Sequence, residues 1–367
     1  MIDTATKSVQ RQFPCSQCGA YLQYEPGTDS LKCQHCGMVQ KIPTIPQHIP
    51  ELDFLAFLNQ LPQNEAVREI LSVRCTNCGA ETTMPPDATA ELCPFCGGGI
   101  VATGASTKAI RPQGLLPFKI TQKQSIELFR QWVSGLWFAP NALKKRAECS
   151  LIHGVYIPAW TYDSDTQSDY VGERGEHYWE TESYTETDAQ GNTVTRTREV
   201  QRTRWWPASG RVANHFDDLL VMASRTLPRK HLDHLEPWDW PSLTPYDDAF
   251  LSGFAAESYQ ISLAEGFETA KQLMDPVIRR TACRDIGGDE QRVLSLSTEY
   301  QDVTFKHLLL PVWISAYQFG QQTFRFVINA RTGEVQGERP YSAWKIAGLV
   351  LGILAAILIV FAIASYH

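Results

Sequence analysis

The sequence predicts a multidomain protein with two small four-cysteine zinc ribbons, an α+β domain and one C-terminal transmembrane helix. The α+β domain should contain an antiparallel sheet and a long β-hairpin. Three observations predict this architecture: a duplicated CxxC pattern, alternating helix and strand patterns in the middle of the chain, and a final apolar run. The predicted boundaries are 1–42 for the first ribbon, 43–66 for a linker with a short helix, 67–108 for the second ribbon, 109–340 for the α+β domain and 341–367 for the anchor.

The length, charge and cysteine usage narrow the class of protein. A chain of 367 residues has room for one sizeable core plus small modules. The formal net charge of −7 does not favour a nucleic-acid binder, because such proteins usually carry a basic excess. Cysteines in CxxC pairs are typical of metal thiolates in a reducing compartment. The first residues lack the apolar core of a signal peptide, so we expect membrane insertion to wait until the C-terminal apolar run leaves the ribosome.

The cysteine pattern C-x2-C-x14-C-x2-C occurs twice, first from Cys15 and again from Cys75. Zinc prefers four tetrahedral ligands, with sulfur at ~2.3 Å. A module this small cannot build an adequate core, so metal binding would supply its folding free energy. Four thiolates close the coordination shell, which predicts structural and not catalytic ions. We therefore predict two zinc ions, held by Cys15, Cys18, Cys33 and Cys36 and by Cys75, Cys78, Cys93 and Cys96.

Short helix signals mark the linker and the central domain. Apolar residues between 52 and 58 predict a short helix that docks on another part of the protein. Thr121 with Gln124, and Ser262 with Glu265, have the spacing of capping boxes and predict two longer helices. The second of these helices should end at Gly287.

Two similar strand motifs, VYIPAW at 155–160 and LLLPVW at 308–313, predict a duplicated α+β unit. Each motif places a proline two residues before a tryptophan. Proline has no N–H for a sheet ladder, so we expect each motif to lie at an edge or a bulge.

A long hairpin is predicted from Tyr178–Thr187 and Thr193–Trp206. A turn centred at residue 190 places Glu182 opposite Arg198 and Tyr184 opposite Arg196. Neither face is apolar enough for a core, so this arm should project into solvent. It is either a docking arm for a partner or simply a solvated hairpin. The carboxylates that precede it, among them Asp163 and Asp165, predict a solvated strand edge.

The sequence offers no positive case for an enzyme, and we predict no catalytic or cofactor-binding residues. His231 and His234 lack the HExxH pattern of zinc proteases, and no family signature surrounds Cys149 or Cys283. The stretch 99–104 resembles a phosphate loop, but the lysine and the Mg-binding hydroxyl are not in place, which argues against an ATP-driven helicase.

The run from Ile346 to Ser365 carries no charge and, at ~1.5 Å per residue, spans the ~30 Å core of a bilayer as a helix. Arg339 and Lys345 flank its N-terminal side, which predicts a cytoplasmic location for that side. The alternative is a buried core helix, although core helices are rarely apolar all round. We therefore expect a single-pass protein of the inner membrane with its N-terminal bulk in the cytoplasm. The aromatic residues at the two ends, which suit the headgroup level, are Tyr341, Trp344 and Tyr366.

Gly348, Gly352 and Ala356 repeat at four-residue spacing within the apolar run. Small residues on one face let two membrane helices approach closely. This pattern predicts a homo-oligomer paired through the membrane helix.

Taken whole, the chain resembles a family of bacterial tail-anchored double-zinc-ribbon membrane proteins. These are often labelled primosomal-protein-N′-like or replication-restart-helicase-like. The resemblance implies zinc at the eight cysteines and work beside phage-shock-type membrane-stress proteins, and no catalytic residues come with it. The motifs that carry it are the two ribbons, LPFK, VYIPAW, GERGEHYW, RDIGGD, LLLPVW, INARTGEVQGERP and the terminal apolar run.

The sequence thus favours a non-enzymatic adaptor for protein partners at the inner membrane face. The alternative is a membrane-tethered nucleic-acid binder without helicase activity, which would use the ribbons. Phosphate binding needs several basic contacts, and those near the ribbons are few: Arg11, Lys32, Lys41, Arg68 and Arg74.

Overall fold

The computed structural model describes residues 13–43, 49–60, 67–76, 80–83, 90–95, 99–101, 106–140, 152–187, 193–319 and 322–365. Mixed α and β structure is present, as predicted. The α-helices of these ranges are α1 (Phe54–Gln60), α2 (Gln122–Gly135), α3 (Arg229–Asp233), α4 (Leu263–Ile286) and α5 (Ala343–Ser365). Two 3-10 turns occupy Trp240–Ser242 and Asp248–Leu251.

The strands belong to small sheets in the N-terminal region and to one large sheet. Those of the N-terminal region are β1 (Leu22–Tyr24), β2 (Ser30–Cys33), β3 (Val39–Lys41), β5 (Val67–Arg74), β6 (Glu81–Thr83), β7 (Ala90–Leu92), β8 (Gly99–Val101) and β9 (Ser106–Ile110). Those of the large sheet are β4 (Leu52–Asp53), β10 (Gly114–Leu115), β11 (His153–Thr187), β12 (Thr193–Met222), β13 (Thr244–Pro245), β14 (Ala255–Ala256), β15 (Glu290–Phe319), β16 (Gln322–Asn329) and β17 (Val335–Gly337).

Three very long antiparallel strands, in the order β12-β11-β15, form the centre of the large sheet. β11 alone has 35 residues, which at ~3.3 Å per residue gives a length of up to ~115 Å. Along the second edge of β15 lie, one after another, β4, β10 and β16. The sheet is therefore long and narrow, and its two ends are far apart.

The two proline–tryptophan motifs pair with each other at the centre of this sheet. Tyr156 lies opposite Pro311, and Pro158 lies opposite Leu309. Each motif follows a capped helix, α2 or α4, and its strand continues into a hairpin with the next strand, β12 or β16. The predicted duplication is thus visible as two α-β-β units related by an approximate twofold axis through the paired motifs.

The same relation appears in the hydrogen bonds of the two tryptophans. The indole N–H of Trp160 donates to the carbonyl of Ile261 at 3.0 Å. The indole N–H of Trp313 donates to the carbonyl of Ile120 at 2.9 Å. Each acceptor directly precedes the N-cap of the other unit's helix, so each unit positions its partner's helix start.

The motif prolines explain where the neighbouring strands leave the sheet. The last pair between β11 and β12 is Ala159 with Met222, one residue beyond Pro158. Ala223 then donates its N–H to the Pro158 carbonyl at 2.9 Å. Both motif strands are central in the sheet. Each proline nevertheless lies at a local edge, as expected, since Pro311 stands one residue beyond the last β16 pair in the same way.

Both predicted capping boxes are present, with Thr121–Gln124 opening α2 and Ser262–Glu265 opening α4. α4 ends at Gly287, also as predicted. Its buried stripe packs on the long strands around Trp160, Tyr162 and Phe305. The buried residues of the stripe are Leu263, Phe267, Ala270, Met274, Ile278, Ala282 and Ile286.

The N-terminal region packs directly on the large sheet. The predicted short helix α1 docks with Phe54 against Phe267 at 4.8 Å and Phe57 against Phe305 at 5.1 Å between ring centroids. In the first ribbon, the hydroxyl of Tyr24 donates to the Phe118 carbonyl at 3.1 Å.

We expect Trp160→Phe and Trp313→Phe each to lower the free energy of unfolding by about 1–3 kcal/mol, because a half-buried carbonyl loses its donor and the smaller ring leaves a cavity. Chemical denaturation of the full chain in detergent measures this. The control is Trp206→Phe, at an exposed residue of β12 at the base of the long hairpin, which should change stability by no more than ~0.5 kcal/mol. Equal effects at all three positions would contradict the positioning role of the two indoles.

Candidate functional site

The clearest site is the cysteine cluster of the first ribbon. The sulfurs of Cys15, Cys18, Cys33 and Cys36 all lie within 4.8 Å of one another. The Cys15–Cys36 and Cys18–Cys33 sulfur distances are both 3.5 Å. A tetrahedral zinc with bonds of ~2.3 Å places its sulfurs ~3.8 Å apart. This group of four cysteines could therefore hold a metal ion.

Two matching turns bring the four sulfurs together. In each CxxC turn the following glycine has a positive φ, +74° at Gly19 and +76° at Gly37, where residues with a Cβ are strained. The N–H of each glycine donates to the carbonyl of the first cysteine of its pair, Cys15 or Cys33, at 2.9 and 3.0 Å. The glycine after each CxxC pair thus lets the backbone turn past the two cysteines.

The surroundings of Cys33 favour the thiolate that a metal requires. The hydrogen bond from the backbone N–H of Cys36 is the largest cause that lowers the pKa of the Cys33 thiol, and the N–H of His35 lowers it further. Burial opposes them, and the resulting pKa is about 6. The Ala20 N–H lowers the pKa of Cys18, but burial and the neighbouring sulfurs outweigh it and raise that pKa to about 12. Four thiolates this close repel one another, so all four can be charged only when a cation lies between them. A bound metal ion would supply that positive charge.

The segment predicted as the second ribbon is described in part. Cys75 and Cys93 are buried and belong to the core that includes Leu116 and Ile157. The Cys75 N–H donates to the Ala80 carbonyl at 2.8 Å, as the Cys15 N–H does to Ala20 at 2.6 Å. Cys78 and Cys96 lie outside the described residues, so the second zinc site stays a prediction.

The arm, defined as residues 176–187 and 193–204, extends beyond the last β11–β15 pair, Gly175 with Glu290. Its register is the predicted one, with Glu182 opposite Arg198 and Tyr184 opposite Arg196. Every described side chain of the arm is exposed or half-buried. The arm therefore projects into solvent, as expected.

The two faces of the arm differ in chemistry. One face carries ion pairs between Glu180 and Arg202 at 2.6 Å, between Glu182 and Arg198 at 2.8 Å, and between Glu186 and Arg196 at 3.1 Å. The other face carries one carboxylate, Glu199, and is otherwise mostly uncharged. It also holds Trp179, Thr181, Ser183, Thr185, Thr195, Thr197, Gln201 and Thr203.

The predicted anchor forms α5, whose described side chains are all exposed or half-buried. Within the described chain, its segment Ala343–Phe361 is long and apolar enough to cross a membrane, and none of it is buried in the protein. The alternative of a buried core helix is therefore wrong. A Cβ added at Gly348 or Gly352 would meet nothing within 4 Å, so the small-residue face is open in this chain.

The structure shows where His231, His234 and Cys283 lie, and it brings no two of them together as a catalytic pair among the described residues. His231 lies on α3, and burial lowers the pKa of its imidazole. His234 follows the helix, and its Nδ1 lies 2.7 Å from the Lys230 carbonyl. Cys283 is half-buried on α4, and Cys149 is outside the described residues.

One expectation about the acidic residues before the arm was wrong. Asp163 is buried in the middle of the sheet, not at a solvated edge. It accepts hydrogen bonds from the Thr304 hydroxyl at 2.9 Å and from the Asp218 N–H. The nearby ammonium of Lys306 pairs with Glu51 at 2.9 Å and with Asp218 at 2.8 Å. Residues far apart in the chain build this cluster, so no local pattern signals it.

Sequence reasoning also missed Glu257, a buried carboxyl where the second ribbon meets the large sheet. Its Oε1 accepts hydrogen bonds from Ser224 at 3.0 Å and from Thr226. The Ser258 N–H, next in the chain, donates to the Glu81 carbonyl at 3.3 Å. Burial is the main cause that raises the pKa of Glu257 to about 8, so the carboxyl is largely protonated at neutral pH.

The chain is similar to a curated protein of Bacillus subtilis (strain 168), the uncharacterized protein YdjG. The two are 25% identical over 343 residues, which cover 93% of each chain. No family model matches the sequence. No solved structure matches it either. The similarity to YdjG thus extends over nearly the whole length, and its name indicates no activity.

We expect Cys18→Ser to lower bound metal by about one equivalent, because a four-cysteine site loses a ligand. Elemental analysis of the purified full chain measures this. Cys18 is exposed, so the substitution opens no core cavity. The matched control is Cys283→Ser on α4, which should keep its metal. Unchanged metal in Cys18→Ser would exclude Cys18 as a ligand.

Glu257 should make the stability of the protein depend on pH. Its folded pKa of about 8 lies above the ordinary value of 4.5. Between these values the folded state holds a proton that the unfolded state releases, so the free energy of unfolding falls as pH rises and levels off above about pH 8. Glu257→Gln should flatten this fall, which is on the order of a few kcal/mol at most.

Urea titration of the full chain at several pH values measures the slope. Exposed Glu268, paired with Lys271 at 2.7 Å, gives the control Glu268→Gln, which should leave the slope as it is. A slope that Glu257→Gln leaves unchanged would contradict a protonated carboxyl at this position.

Proposed function

We propose that this protein is a membrane-anchored cytoplasmic adaptor that holds a charged β-arm far from the bilayer. The observation that supports this is the placement of the apolar helix α5 and the solvated arm at opposite ends of one continuous sheet. A binding surface and an anchor, separated by a stiff spacer, suit a protein that presents partners at a distance from the membrane.

The separation follows from the strand pairings. β15 begins at the base of the arm, where Glu290 lies opposite Gly175, and ends at Phe319 opposite Gln322 of β16. After β17 the chain runs toward that second end, since the Glu338 N–H donates to the Arg325 carbonyl at 2.8 Å. Arg325 lies opposite Ala316 of β15. The distance along β15 from Ala316 to Glu290 at the base of the arm is up to ~85 Å, and the arm adds up to ~40 Å.

The sheet can act as a spacer because its pairing extends from one end to the other, with register shifts only at 162–165 and at 171–172. A two-stranded ribbon alone is only marginally stable in water. The third strand β15 and the packing of α4 stiffen the part below the arm. Within the arm the cross-strand Glu–Arg pairs, each worth roughly 0.2–1 kcal/mol, hold the register.

The proposed orientation places the body in the cytoplasm. Arg339 and Lys345 stand on the N-terminal side of the apolar run, which is the side that positive residues keep in the cytoplasm. The reducing cytoplasm also suits thiolate ligands. We propose the inner membrane as the location on these grounds.

The proposed role of the metal is structural. The eight cysteines would hold two zinc ions, and the bound metal would supply folding free energy to the ribbons. The ribbons then present small, rigid surfaces beside the sheet. Closed sites with four thiolate ligands have no open position for a substrate, so we propose a non-enzymatic protein.

The partners we propose are proteins that dock on the arm. The family resemblance points to phage-shock-type membrane-stress proteins as the class to test first. Pairing of two copies through Gly348, Gly352 and Ala356 would present two arms side by side. Nucleic-acid binding through the ribbons is less favoured, since Lys32 is paired with Glu25 at 2.6 Å.

Reciprocal substitution of one ion pair tests the arm. The double variant Glu182→Arg/Arg198→Glu keeps an opposite-charge pair, and hence the register, but exchanges the two charges on the surface. Cross-linking in native membranes followed by mass spectrometry should find proteins attached to the wild-type arm, and their yield should fall at least several-fold in the double variant.

The control is the same exchange in the body of the sheet, Asp169→Arg/Arg211→Asp, whose wild-type pair lies at 2.7 Å. This variant should keep the wild-type cross-links. If no protein attaches reproducibly to the wild-type arm, the adaptor function is wrong.

A further inference from the structure

We propose that the loop 136–140 after α2 is a second membrane contact, with Trp137 seated in the lipid headgroup layer beside the start of α5. This inference rests on the proposed anchoring by α5. It adds a partner surface, the lipid interface, and a way to set the orientation of the body on the membrane.

Three hydrogen bonds fasten the loop to the start of α5. The ammonium of Lys345 donates to the carbonyls of Trp137 at 3.0 Å and Ala139 at 2.8 Å. The Ser342 N–H donates to the Phe138 carbonyl at 2.8 Å. The loop therefore moves with the first turn of the helix.

The level of the loop relative to a bilayer follows from these bonds. Lys345 directly precedes Ile346, the first residue of the apolar run. A bilayer that encloses the run brings its headgroup layer, about 5–7 Å thick on each side, to Lys345. Because the carbonyl of Trp137 touches the Lys345 ammonium, Trp137 reaches the same layer.

The exposure of Trp137 fits this location. Its side chain is 78% exposed, and the nearby Trp344 and Tyr341 are 90% and 59% exposed. Trp160 and Trp313 of the sheet are buried. Indole rings prefer the headgroup level, where an apolar ring and a polar N–H are both accommodated. The three exposed rings belong to the loop and to the segment where α5 begins, which hydrogen bonds join.

A second membrane contact would restrict how far the body of the protein can tilt relative to the bilayer. One membrane helix leaves the attached domain free to tilt about its exit point. With Trp137 as a second point of attachment, the end of the sheet is held against the lipid, and the arm at the far end is directed into the cytoplasm. Lys345 acts as a positioning residue, since it joins the loop to the helix.

The test uses the full chain with 5-fluorotryptophan, reconstituted in phosphatidylcholine–phosphatidylglycerol nanodiscs. Single Trp→Phe variants assign the fluorine resonances of Trp137, Trp344 and Trp206. A paramagnetic gadolinium-headgroup lipid is then added. We expect at least several-fold broadening of the Trp137 and Trp344 resonances, and none for Trp206 at the base of the arm, far from the bilayer.

The outcomes separate the inference from the function on which it rests. Broadening of Trp344 without Trp137 would overturn the second contact and leave the anchor intact. Broadening of neither, with a chain that fails to float with lipid, would overturn both.

Substitution of the positioning residue gives an independent readout. Lys345→Met lengthens the apolar run, so the anchor stays, but it removes both hydrogen bonds to the loop. We expect the broadening of Trp137 to fall while that of Trp344 remains, and Lys345→Arg to restore it. Unchanged broadening of Trp137 in Lys345→Met would show that Lys345 does not position the loop.

Discussion

The structure depends on the reciprocal pairing of the two proline–tryptophan motifs at the centre of the sheet. Tyr156 opposite Pro311 sets the register of β11 against β15, and in a sheet a slip of one residue would turn every side chain to the other face. The indoles of Trp160 and Trp313 then connect each motif to the start of the other unit's helix. Helices, strands and their register are thus determined together at one buried point.

From this centre the two units diverge. In one, the hairpin continues past its neighbours and becomes the arm. In the other, β16 is short and the chain turns through β17 to the apolar helix. Because the units are related by an approximate twofold axis, their hairpins leave the centre in opposite directions. The distance between arm and anchor is therefore a consequence of the duplication.

The two cysteine-containing segments of the N-terminal region also pack on the large sheet. Tyr24 of the first ribbon contacts Phe118 and Phe250, which belong to the core under α2. Buried Glu257 lies where the second ribbon meets the sheet, hydrogen-bonded to Ser224 and Thr226. The segments that carry the cysteines are therefore packed against the large sheet, so a change in one of them can affect the stability of the other.

The sequence by itself determined the features that depend on neighbouring residues. The CxxC–Gly turns, both capping boxes, the register of the arm and the apolar helix are local, since turn geometry, side-chain spacing and run length decide them. The domain boundaries and the second zinc site remain predictions from the same local patterns.

Only the tertiary structure decided the length of the central strands, the burial of Asp163 beside Lys306, and the position of Trp137 at the start of α5. Each depends on residues far apart in the chain, such as Asp163 and Thr304 or Trp137 and Lys345. The free energy of these contacts appears only when the chain folds, because burial and pairing of a charge depend on which distant groups arrive beside it.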